Sequence, residues 1–247
     1  MTESVVDPNT RPLSRVESLG LNCELGFVLA SLGNKSPALL KWCWTPPESI
    51  VKLLQWDFAN LYEYKALVPC GKNQILDQRY GIRFHTNVKT ELVNGLWRFV
   101  NSDEETRYRI LTAERNLVTG QVTTFKKRFG TPKTLWVIVR NDYPGSQPTI
   151  TCQIEDILSL IKVRSGETPF ILLEVMADED KSTVDSCIEK MSISFYRGYI
   201  RRFAPHHRAN DVDLDSWAIL LKQALIITNR LPDKMLSGRN DDRGEQN

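Results

Sequence analysis

The chain has only three histidines, His85, His206 and His207, among its 247 residues. Any chemistry that needs an imidazole must draw on one of them. The five cysteines (Cys23, Cys43, Cys70, Cys152 and Cys187) are odd in number, scattered and without CxxC spacing, which argues against a disulfide framework and a zinc site. They read as free thiols, and no metal or cofactor site is indicated. Long apolar runs are missing as well. Nothing approaches the ~18 residues of a bilayer span, and "MTESVVDPNTRPLSR" lacks the basic-then-apolar pattern of a secretory signal. A cytoplasmic protein with no membrane span is expected. The formal net charge is only +2, too small to signal the clustered basic face of a nucleic-acid binder, so no nucleic-acid partner is expected. Low-complexity linkers and solenoid or propeller periods are also absent. Residues 13–236 are therefore expected to form a single α/β domain. Residues 1–12 and the tail 237–247, polar and aperiodic, are expected to be disordered.

What is present is the composition of a globular protein, 41% hydrophobic and 25% charged. After "LSRVESLG", Asn22 reads as the N-cap of a helix carrying Leu25, Val28, Leu29 and Leu32, with Gly33 ending it. "TPPESIVKLLQWDF" announces a second helix, with Thr45 and Glu48 spaced as a capping box. Residues 90–129 read as helical with interruptions near Asn101 and Gly120, and a second box runs from Ser102 to Glu105. Then the period changes. "TLWVIVRN" and "FILLEVM" are apolar β-rich runs that flank a helical face of Ile154, Ile157, Leu158 and Ile161, a unit that favours parallel strands. "ISFYRGYI" reads as a further strand and "DLDSWAILLKQALI" as a last helix. The expected fold is a three-layer sandwich, a mostly parallel sheet flanked by helices. Ligands in such folds sit beyond the carboxyl ends of the strands. Asn22 and Cys23, residues 140–142 and residues 177–180 are the candidates for that place.

Cys23, as the first residue of its helix, would have its thiolate favoured by the positive helix end. The negative charge of Glu24 works against this, and many free cysteines are simply buried and inert. A base must then be found. His85 closes "DQRYGIRFHTN", where Tyr80, Ile82 and Phe84 alternate as in a strand, and Asp77 or Asn87 could orient its ring. His206 and His207 are the alternative bases. They lie among Arg201, Arg202 and Arg208, a cluster that reads either as an anion-binding pocket or as a solvated basic loop. "DVDLD" resembles a metal-binding acidic motif but is explained by Asp213 capping the last helix. Asn141, at a strand end before "YPG", is a binding candidate or simply a turn residue. Trp42 and Trp44 should face one way as core or pocket wall, and Cys43 the other.

Taken together, "SLGLNCELGFVL", "TPPESIVKLL" and "YGIRFH" resemble an uncharacterised bacterial family described as papain-like cysteine peptidases, whose members open with Ser-Leu-Gly-x-Asn-Cys. The likeness covers roughly the first 90 residues and weakens through "LWVIVRND" and the last helix. It implies Cys23 as nucleophile and His85 as base, and family members occur near surface-polysaccharide genes; Asn22 of the signature is taken with them as a catalytic candidate and Ser18 as a binding candidate. One departure is "KWCW", which stands where the family has Phe-Asp-Trp, so an acidic residue is missing. The order Cys23, Asn141, then His206 or His207 is also comparable to SGNH-type esterases, although no Asp stands three residues before either histidine. The function expected first is a cysteine hydrolase acting on a small-molecule, glycan or peptide substrate. The alternatives are a transferase or accessory protein of surface-polysaccharide assembly that binds a sugar phosphate or nucleotide sugar, and a non-catalytic binding module.

Overall fold

A computed structural model describes residues 12–100, 103–140, 150–182, 187–205 and 208–234. At its centre, β1 (Val16–Ser18), β7 (Thr134–Val139), β8 (Phe170–Ala177) and β10 (Phe195–Ile200) run parallel. The antiparallel β9 (Ile188–Lys190) closes the edge of a five-stranded sheet ordered β1-β7-β8-β10-β9. The strands are apolar on both faces because both are covered. Leu135, Val137, Val139, Ile171, Leu173 and Val175 pack on α1 (Glu24–Ser31) and α6 (Leu214–Asn229). Their alternating neighbours Trp136, Ile138, Phe170 and Leu172 pack on α2 (Pro47–Gln55), α3 (Glu104–Phe129) and α4 (Ile150–Ser165). This is the expected three-layer α/β sandwich. Each fully buried aliphatic or aromatic side chain in these two cores contributes roughly 1.5–3 kcal/mol. A short helix, α5 (Glu179–Ser182), follows β8.

Two small antiparallel sheets are inserted between α2 and α3. One consists of β2 (Leu67–Gly71), β3 (Gln74–Asp77) and β4 (Ile82–His85), the other of β5 (Thr90–Val93) and β6 (Leu96–Phe99). Residues 90–99 are therefore a hairpin, where a helical pattern was expected. Asn94 and Gly95 both adopt positive φ, at 50° and 78°, the backbone a two-residue hairpin turn requires and an Asn-Gly pair supplies.

Cap chemistry also departs from expectation in places. The Thr45–Glu48 box does not form. Pro46 occupies the N-cap position without a side-chain bond, and the Thr45 hydroxyl is buried without a partner. Thr45 instead fills the space over Gly20, where an added Cβ would lie 2.6 Å from the Thr45 Cβ. At α3 the capping side chain is Asp103, which accepts from the Glu105 amide at 2.9 Å; Ser102 lies outside the described residues. Asp213 does cap α6, accepting from the Ser216 amide, and Gly33 follows α1 with φ 92°.

One buried carboxyl couples this core to pH. Glu17 on β1 is 3% exposed; Arg128 Nε donates to its Oε2 at 3.3 Å, while Oε1 has no partner. Burial raises its pKa to about 7, against the opposing pull of Arg128 and Lys41. The folded chain thus keeps a proton that the unfolded chain releases near pH 4.5. Stability is unaffected by this group below that pH and falls as pH rises toward 7, by about 3 kcal/mol. Arg128 is a quarter exposed, so water can serve it if the carboxylate is removed. Urea melts of Glu17→Gln should lose this part of the decline between pH 4.5 and 7; an unchanged slope would show that Glu17 is not its source.

Candidate active site

The turn from β1 into α1 is tight. Gly20 and Leu21 both sit at positive φ, 87° and 82°, a conformation costly for a leucine and tolerated where surrounding structure enforces it. The buried Ser18 hydroxyl braces the turn by accepting from the Gly20 amide at 3.1 Å, so Ser18 supports the loop and does not line the cleft described below. Asn22 Oδ1 accepts from the Glu24 amide at 2.9 Å. It performs the capping bond expected of it, while Cys23 occupies the N-cap position, one residue before the helix proper.

Gly26 explains how that helix end is seated. An added Cβ there would lie 2.6 Å from the Lys41 carbonyl oxygen and 2.9 Å from the Trp42 ring. Only glycine lets α1 approach this wall so closely. Phe27 then meets Trp42 edge-on, with ring centroids 5.0 Å apart. On the far side of Cys23, strand β4 alternates: Ile82 and Phe84 turn inward, Arg83 and His85 outward. The two elements converge so that Cys23 Sγ lies 3.8 Å from His85 Nε2. The residues that sequence reasoning joined, 62 positions apart, are neighbours.

The pair opens into a cleft of about 320 Å³. Its walls include Asn22, Phe27, Trp42, Trp44, Gln74 and Arg83, and it is bounded further by Ala204, Pro205 and Ala209. The two tryptophans are thus pocket wall, and Cys43 points away into the core at 5% exposure. Burial pushes the Cys23 thiol up from its ordinary value. Glu24 is fully buried and also raised by burial, although Trp217 Nε1 donates to its Oε1 at 2.9 Å. A carboxyl held toward its neutral form opposes an adjacent thiolate less than a charged one would.

Neither suggested orienter reaches the ring of His85. Asp77 is buried and accepts from the amides of Tyr62, Arg79 and Tyr80. Asn87 is held by Glu114, which sequence reasoning missed. One Glu114 carboxylate oxygen accepts from Tyr62 Oη at 2.7 Å and Thr86 Oγ1 at 2.8 Å, and the other from Asn87 N at 2.7 Å and Nδ2 at 3.0 Å. This carboxylate on α3 clamps the two residues that follow His85. Its signal was available: Glu114 shares the buried stripe of Leu111 and Val118, and an acid on such a stripe needs partners. Gln74 was also missed; it faces His85 across β3 and β4.

The C-terminal candidates are placed elsewhere. Both sides of the Arg201 fork are taken by Asp213, at 2.7 and 2.5 Å. Arg202 bonds Asp211 at 3.1 Å, and Arg208 lies 3.7 Å from the same carboxylate. Arg201 and Arg202 border a separate recess with Glu179, Asp213 and Asp215. Arg140 pairs with the buried Glu174 at 3.3 Å. Asn141, His206 and His207 lie outside the described residues. Among the described residues no group of three or more metal-ligating side chains occurs, and no helix is long and apolar enough to cross a membrane.

Neither a family model, nor a curated protein, nor a solved structure matches the chain.

Glu114→Ala would leave a buried phenol, a hydroxyl and an amide without their acceptor, at about 3 kcal/mol or more. Urea denaturation should register that loss, and alkylation of Cys23 in the folded fraction should slow as His85 loses its seat. A variant of wild-type stability would contradict the role given to this clamp.

Proposed function

We propose that the chain is a cysteine-nucleophile hydrolase or acyl-transfer enzyme. The observation that supports this reading is the 3.8 Å approach of Cys23 Sγ to His85 Nε2 inside an open, aromatic-walled cleft. The resemblance of "SLGLNC" and "YGIRFH" to the cysteine-peptidase family points to the same two residues. In the reaction, His85 Nε2 takes the thiol proton as Sγ attacks the acyl carbonyl. The electron pair of the C=O bond moves to oxygen, and the positive end of α1 stabilises that oxyanion. Collapse of the intermediate expels the leaving group, which receives the proton from His85. Water, deprotonated by the same imidazole, then hydrolyses the thioester and frees Cys23. A peptide, an amide or an acylated sugar is a suitable substrate. The nucleotide-sugar reading is weaker, because Asp213 and Asp211 already engage Arg201 and Arg202.

Burial favours the resting thiol over the thiolate, so reactivity at neutral pH depends on the imidazole. Alkylation of Cys23 by iodoacetamide, followed by peptide mass spectrometry, tests this. In His85→Ala the rate at pH 7 should fall at least tenfold, and the pH profile should rise only above the range of an ordinary thiol, about 8.5. A variant that labels as fast as the wild type would refute His85 as the base.

A further inference from the structure

Arg83 is a charged group in this cleft that the proposed reaction does not use. It stands two residues before His85 on β4, on the same outward face, about 6.6 Å along the strand. Its guanidinium stacks over Trp44, 4.4 Å from the ring centroid. Stacking holds the plane while leaving the N–H edge available to donate. Among the described residues no carboxylate lies within ion-pair distance of it. This contrasts with Arg201 and Arg202, whose forks are filled. A permanent cation therefore sits in the cleft, with no carboxylate at ion-pair distance among the described residues.

Resting on the catalytic reading above, we propose that the preferred substrate is an acyl compound carrying a carboxylate, which Arg83 binds while the reacting carbonyl lies at Cys23. The aromatic walls of Phe27, Trp42 and Trp44 accommodate the apolar or ring-shaped remainder. Arg83 is thus a specificity-determining residue for the same site. A planar, two-donor guanidinium fits a carboxylate better than a neutral amide, which offers one acceptor and no charge.

Iodoacetate and iodoacetamide are nearly isosteric and differ in this one charge, so their rates at Cys23 provide the test. The ratio of the iodoacetate rate to the iodoacetamide rate should exceed that of free cysteine in the same buffer by about tenfold. Arg83→Gln should return the ratio to the free-cysteine value, and Arg83→Lys, which keeps the charge but not the fork, should retain part of it. The Arg83 side chain is exposed and its backbone bridge to Trp44 does not involve it, so these variants should fold; urea midpoints close to that of the wild type would verify this, and the ratio of the two rates cancels any change in Cys23 ionisation. A wild-type ratio equal to that of free cysteine, or a ratio unchanged in Arg83→Gln, would overturn the proposal. If the ratio depends on Arg83 while iodoacetamide labelling ignores His85→Ala, the anion site stands and the nucleophile reading fails.

Discussion

The close seating of α1 against the segment that carries Trp42 is the constraint on which the site depends. Cys23 belongs to the layered sandwich and His85 to an inserted antiparallel sheet, so no local rule brings them together. Gly26 removes the side chain that would hold α1 away from the Lys41 carbonyl and the Trp42 ring. Trp44 then pairs its backbone with Arg83, with Trp44 N donating to Arg83 O at 3.1 Å and Arg83 N to Trp44 O at 3.0 Å. One short stretch, residues 41–44, thus meets the helix that follows Cys23 at one end and the strand of His85 at the other. The role of this stretch is mechanical, holding α1 and β4 side by side.

The electrostatics of the site follow from partial burial. A thiol withdrawn from water resists ionisation, and an adjacent carboxyl withdrawn from water does the same. Burial thus pushes the pKa values of both Cys23 and its acidic neighbour Glu24 upward. Glu24 links helices: its bond to Trp217 ties α1 to α6 across the core. Arg83 is the permanent cation of the cleft.

Much of this was legible in the sequence, for identifiable reasons. Strands β7 and β8 appear as apolar runs because both faces are covered, and the helix between them has the matching period. The alternation in "YGIRFH" placed His85 outward and Phe84 inward. The hairpin at 90–99 was misread because its strands are short and mostly exposed, so no strong period of two exists; its Asn-Gly turn was the stronger signal. The Thr45 box failed for a tertiary reason, since Thr45 is needed against Gly20. Glu114 could have been found from its helical stripe. The register that sets Gln74 opposite His85 depends on a turn whose geometry only the fold reveals.

The central claim is that Cys23 forms a covalent acyl intermediate with help from His85. The most direct measurement is intact-mass and peptide mapping of acid-quenched protein after brief exposure to an activated ester. An acyl group on Cys23 that disappears as free acid is released, and that Cys23→Ser does not acquire, is the predicted result. No adduct on Cys23, or one that forms equally fast in His85→Ala, would contradict it.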